Sequence, residues 1–95
     1  MNYIEENKII ADALKKNEEL FVSYVRQVQE GLQNKTLDIN VMEQLMMKTI
    51  MALKNNVVTT TNELTSEESK KKFLQAAAKS AENMKSLVPK KAIST

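Results

Sequence analysis

Residues 41–58 read VMEQLMMKTIMALKNNVV, and this stretch decides the fold because it carries more apolar side chains than a helix with one buried face needs. At about 100° per residue, a first apolar stripe runs along one line of the helix. Its members are Met42, Met46, Ile50, Leu53 and Val57. A second apolar group lies roughly a third of a turn away. Its members are Met47, Met51 and Val58. A helix that is apolar over so much of its circumference must be covered on more than one side.

The composition favours long helices joined by short turns. The chain has 95 residues, one glycine (Gly31) and one proline (Pro89), so hairpins and sheet turns lack their usual residues. A chain of this length buries only about two-thirds of the surface that its unfolded form exposes. We therefore expect one all-α domain over residues 1–88, with a modest aliphatic and methionine-rich core, followed by a short basic C-terminal tail at residues 89–95.

The first helix is predicted to run from about Tyr3 to Glu30, with Asn2 accepting a free backbone N–H group at its start. Seven residues share its apolar face: Tyr3, Ile10, Leu14, Phe21, Tyr24, Val25 and Val28. Asn17 lies within this face and has two interpretations, a helix break or a polar residue that sets helix register. The apolar stripe keeps its phase through Asn17, so we expect one continuous helix in which this side-chain amide reaches water at the rim of the face.

Local signals also place the first turn and the second helix. Gly31 is typical of the left-handed residue that ends a helix. Asn40 followed by Glu43 matches a capping box, and Asp38 is the competing cap. The run of β-branched residues VVTTT disfavours helix, so we expect the second helix to fray or kink over residues 59–62.

A second capping-box match, Thr65-Ser66-Glu67-Glu68, predicts a third helix that runs to about Leu87, just before Pro89. Its apolar face comprises Leu74, Ala77, Ala81, Met84 and Val88, with Phe73 and Leu87 beside it. The alanines allow another helix axis to approach closely. We therefore predict a helical hairpin or three-helix bundle of long amphipathic helices. The third helix either packs on the first two or continues the second in a long open hairpin.

Positive charge is concentrated in the C-terminal third. Residues 65–95 carry seven basic and three acidic side chains, whereas residues 1–30 carry four basic and six acidic ones. The seven basic residues are Lys70, Lys71, Lys72, Lys79, Lys85, Lys90 and Lys91. Such a set can neutralise the phosphates of nucleic acid, but it has no arginine for base contacts and spreads around the helix. A solvated helix surface is the preferred interpretation, and nucleic-acid contact is the alternative.

The inventory of side chains argues against catalysis. The chain has no His and no Cys, so it lacks the most usual general base, the usual nucleophile pairs and the commonest transition-metal ligands. The adjacent Glu5 and Glu6 lie in the first turn of a helix, where the helix dipole and solvation explain them. No glycine-rich phosphate loop or calcium-loop pattern occurs. We expect no catalytic site, no cofactor, no metal site and no small-molecule substrate.

The apolar runs of the chain are short. The amino terminus has neither a basic segment nor a long apolar run, so we expect no signal peptide. No apolar run reaches the ~20 residues that a membrane-spanning helix needs. These features predict a cytoplasmic location, or a virion-associated one if the chain is phage-encoded.

The Met-rich second helix favours a protein–protein interaction module of bundle or coiled-coil type. Methionine fills irregular gaps between helices and serves adaptable binding surfaces. The predicted protein interface consists of Met42, Met46, Met47, Ile50, Met51 and Val58. We expect the partner to be another protein or a second copy in a homo-oligomer. The corresponding functions are those of an assembly factor, adaptor, chaperone or small inhibitor of phage or bacterial origin. The alternative is a small nucleic-acid-binding protein that uses the Lys-rich third.

Overall fold

The computed structural model describes residues 2–85, which form three α-helices and no strand. The helices are α1 (Tyr3–Gln33), α2 (Ile39–Glu63) and α3 (Glu67–Lys85). The predicted all-α class is confirmed. Each helix contacts both of the others, so α3 folds back onto the α1–α2 hairpin and does not continue α2 in an open hairpin.

Helix α1 begins where the sequence predicts and ends later. The Asn2 Oδ1 atom accepts a hydrogen bond of 2.8 Å from the Glu5 N–H group, as expected of an N-cap. The helix is continuous through Asn17, which excludes the helix break. It ends at Gln33, three residues beyond the predicted Glu30.

The role predicted for Gly31 is wrong. Gly31 is helical, and the left-handed residue of the turn is Lys35, with φ 57°. The N–H groups of Thr36 and Lys35 donate to the carbonyls of Gly31 (2.9 Å) and Leu32 (3.3 Å), which is the hydrogen-bond pattern of a Schellman motif. Glycine is needed at position 31 for space, because an added Cβ would lie 3.0 Å from the Leu37 Cβ.

The two ends of α2 also differ from the prediction. Asp38, and not Asn40, is the N-cap, since its Oδ1 accepts a 2.9 Å hydrogen bond from the Val41 N–H group. The expected fraying over residues 59–62 does not occur, and the helix continues to Glu63. Thr60 is buried within this segment, so tertiary packing outweighs the low helix propensity of the β-branched run.

Helix α3 begins one residue later than the capping box predicts. The Ser66 Oγ atom, and not that of Thr65, accepts the capping hydrogen bond, from the Ser69 N–H group at 3.1 Å. The predicted helix end near Leu87 and the basic tail at residues 89–95 lie outside the described residues.

The core is small and lies where the three helices meet. Its buried members are Ile10, Ala13, Leu64 and Phe73. Partly buried side chains of Ile9, Leu14, Val57 and Ala77 pack against them. Three residues assigned to apolar faces are exposed instead: Tyr3 (69%) on α1, and Leu74 and Ala81 on α3, where Phe73 is fully buried.

Candidate protein interface on helix α2

Helix α2 turns a partly polar side towards α1. Asn56 Nδ2 donates hydrogen bonds to the Ala13 carbonyl at 3.0 Å and to Asn17 Oδ1 at 2.8 Å. Thr60, one turn further along the helix, is buried on the same side, and Ala52, one turn before Asn56, is half-buried. The side of α2 that contacts α1 therefore includes Ala, Asn and Thr side chains, and the strongly exposed Met47 and Met51 lie elsewhere on the helix.

The opposite side of α2 is apolar and exposed. We call it the α2 outer face, and it consists of Ile39, Met46, Met47, Ile50, Met51 and Val58. Met47 and Met51 retain 64% and 61% of their accessible surface. Five of the six residues predicted to form the interface thus lie together on this exposed face, and the sixth, Met42, is half-buried. Exposed apolar side chains grouped on one face of a small chain are typical of a contact site for another molecule.

An apolar groove of about 350 Å³ adjoins the α2 outer face. Ile50 and Val58 belong to both the face and the groove. The remaining lining residues are Asn17, Leu53, Lys54, Val57, Ala77, Ala81 and Met84. Ala77 and Ala81 of α3 contribute small side chains to this groove, and Ala77 also packs against the core.

The environment of Asn17 differs from the prediction. Its side chain is only 4% exposed and does not reach water at a rim. The partner amide is Asn56, which lies 39 residues away in the chain. No local sequence pattern links these two residues. Because a buried amide needs a hydrogen-bond partner, this pair ties α1 and α2 together at one relative position.

Glu6 is the residue whose role sequence reasoning missed most clearly. It was expected to be solvated in the first turn of α1, yet it is only 4% exposed and binds the start of α3. Glu6 Oε1 accepts from the N–H and hydroxyl groups of Thr65 (both 3.0 Å) and from the Ser66 N–H group (3.1 Å). Glu6 Oε2 accepts from the hydroxyls of Ser66 (3.2 Å) and Ser69 (2.6 Å).

These hydrogen bonds keep Glu6 ionised. The Ser69 hydroxyl and then the Ser66 N–H group contribute most to lowering the pKa of Glu6 from 4.5 to about 2, against the opposing effect of burial. Both carboxylate oxygens are engaged with groups at the N-terminus of α3, where a negative charge is also favoured by the helix dipole. The cluster therefore clamps α3 to α1.

Of the four lysines of the C-terminal third whose side chains the structure describes, two have polar partners within the chain. The Lys70 Nζ atom lies 3.5 Å from Glu67 Oε1, and Lys72 Nζ lies 3.3 Å from Asn7 Oδ1 and 5.6 Å from the centre of the Tyr3 ring. Lys71 and Lys79 are exposed. The side chain of Lys85, together with Lys90 and Lys91, lies outside the described residues.

Two further features are lacking in the described range, 2–85. It holds no group of three or more acidic side chains placed to bind a metal ion. None of its helices combines the length and hydropathy needed to cross a bilayer. Comparison with protein families, with curated proteins and with solved structures finds no significant match.

Proposed function

We propose that the protein is a non-enzymatic helical interaction module that binds another polypeptide through the α2 outer face. Its role is that of an assembly factor, adaptor, chaperone or small inhibitor of phage or bacterial origin, acting in the cytoplasm or, if phage-encoded, with the virion. The observation that carries the proposal is the exposure of Met47 and Met51 at the centre of an apolar face, next to an open apolar groove. Flexible, polarizable Met side chains suit a surface that adapts to a partner helix.

The test replaces both central methionines, as Met47→Glu with Met51→Glu. We expect loss of a specific partner captured from the source organism and identified by mass spectrometry, because two charges would be buried in an apolar contact. Helix content measured by circular dichroism is expected to stay unchanged.

The matched control is Val22→Glu on α1, which also replaces an exposed apolar side chain with a charge. Val22 lines a shallow depression formed only by α1 residues, away from the α2 outer face. Equal capture by both variants and the wild type would contradict the proposal.

A second candidate function is nucleic-acid binding by the Lys-rich third. It is favoured by the excess of seven basic over three acidic side chains in residues 65–95. Lys71 and Lys79 are exposed and suited to phosphate contact, whereas Lys70 and Lys72 have partners within the chain. Salt-dependent retention of DNA or RNA that is lost in Lys71→Glu with Lys79→Glu, but kept in Lys48→Glu, would favour this candidate.

A further inference from the structure

One exposed line of α2 has a sequence that is symmetric about its midpoint. Six residues follow one another along it: Ile39, Glu43, Met47, Ile50, Lys54 and Val58. All six are exposed, and at about 100° per residue they lie within an arc of roughly 100°. Their spacings are four, four, three, four and four residues. Read from either end, the order is apolar, charged, apolar, apolar, charged, apolar. The first charged residue is Glu43 when the line is read forwards and Lys54 when it is read backwards.

This symmetry is what an antiparallel helix pair requires of a single sequence. In a twofold pair, each residue of one copy faces the residue equally far from the midpoint on the other copy. A pattern that is symmetric in apolar character and opposite in charge is therefore self-complementary. The exposed apolar face identified above meets that requirement along about five turns of helix.

We propose that the α2 outer face binds the α2 outer face of a second copy of this chain, antiparallel, with the twofold axis between residues 48 and 49. The inference rests on the proposed function and names its partner. Glu43 of one copy faces Lys54 of the other, twice. The apolar pairs across the same axis are Met47 with Ile50 and Ile39 with Val58.

Charge complementarity selects both the partner and its direction. Within the described residues, neither Glu43 nor Lys54 takes part in an ion pair of its own chain. They are eleven residues apart on the same line, a distance of about 16 Å along the axis, so they do not reach each other within one helix. A parallel pair would place like charges opposite each other, whereas the antiparallel pair satisfies all four charges.

The first experiment measures the dimer dissociation constant of the full chain by sedimentation equilibrium. We expect the wild type to dimerise, and Glu43→Lys or Lys54→Glu alone to raise the dissociation constant by at least about tenfold, because each creates two like-charge pairs. Glu43→Lys combined with Lys54→Glu exchanges the charges and should return it to within about threefold of the wild type. Lys48→Glu is the matched control, an exposed charge reversal on α2 off this line.

Cross-linking tests the direction independently. The chain has no native cysteine, so an introduced one is the only thiol. A mixture of Glu43→Cys and Lys54→Cys chains is expected to form a disulfide-linked dimer, whereas neither variant alone should. In an antiparallel pair two copies of position 43 lie about 16 Å apart, beyond disulfide reach.

Results of the dimerisation and cross-linking experiments other than those expected would contradict the antiparallel dimer. A dimer unaffected by either single reversal, or cross-linked by Glu43→Cys alone, is not the antiparallel pair. A wild type that stays monomeric at every concentration but loses a bound protein in Met47→Glu with Met51→Glu refutes the second copy and leaves the proposed function standing. A monomer with no bound protein sensitive to those substitutions refutes both.

Discussion

The two sides of helix α2 differ in their contacts, because one side packs against α1 and the core and the other is exposed. The side towards α1 carries Asn56 and the buried Thr60, whereas the side towards solvent carries Met47, Ile50 and Met51. The half-buried Asn56 amide is tolerated because its Nδ2 group donates two hydrogen bonds to α1. Apolar side chains that are not needed to hold α2 in place remain available for contact. The hydrogen bonds of Asn56 position this helix against α1, whereas Met47, Ile50 and Met51 face outwards.

The sharpest break in this comparison is a side-chain truncation in the core, at the residue that follows α2. We expect Leu64→Ala to reduce the free energy of unfolding by about 2–5 kcal/mol, because Leu64 is almost fully buried in the core and its removal leaves a cavity. Met47→Ala on the outer face should change it by no more than about 0.5 kcal/mol. Urea unfolding at protein concentrations too low for association measures both. Similar losses in the two variants would mean that the sides are not energetically distinct.

The next largest effect concerns the buried amide pair. Asn56→Ala should cost about 1–3 kcal/mol, since the Asn17 side chain keeps its burial and loses its donor. Asn56→Ala combined with Asn17→Leu is expected to recover part of this loss, because no buried amide then lacks a partner. Asn55→Ala, at the exposed neighbouring position, is the control and should be near neutral. Chemical unfolding of all three variants checks the order, and equal losses for Asn55→Ala and Asn56→Ala would contradict it.

The pH dependence of folding tests the clamp between α1 and α3. The pKa of Glu6 is lowered from 4.5 to about 2 in the folded chain, first by the Ser69 hydroxyl. A carboxyl with a depressed folded pKa contributes stability above its unfolded pKa and loses that contribution as the pH falls. We expect stability to decline from about pH 4.5 towards pH 2. Glu6→Gln should reduce this pH-dependent loss of stability, whereas Glu5→Gln should leave the loss unchanged. Thermal unfolding measured across this pH range checks both variants. An unchanged slope in Glu6→Gln would show that the clamp does not govern acid sensitivity.

The smallest effect on folding is expected on the outer face itself. At concentrations where the chain is monomeric, Met47→Glu with Met51→Glu should shift the unfolding free energy by no more than about 0.5 kcal/mol per substitution, since both side chains are exposed. The same variant should bind less of a dye that fluoresces on apolar surfaces. A large destabilisation would show that the methionines support the monomer and not a contact.

The sequence alone determined the class of fold, the number of helices and the N-cap of α1. The scarcity of glycine and proline, the helical periodicity and the Asn2 cap predicted three helices and the continuity of α1 through Asn17. The same periodicity grouped the apolar residues of α2, including those that the structure leaves exposed. These features depend on residues within a few positions of each other, which is the range over which helix geometry is set.

Only the tertiary structure decided which of several adjacent faces is covered. Phe73 and Leu74 are neighbours of similar character, and the position of α1 and α2 buries the first and exposes the second. Glu6 and Asn17 look like surface residues in sequence because their partners, Ser69 and Asn56, are 63 and 39 residues away. Periodicity defines which residues share a face, but burial of that face is a property of its neighbours, and pairing between distant polar groups leaves no local pattern to read.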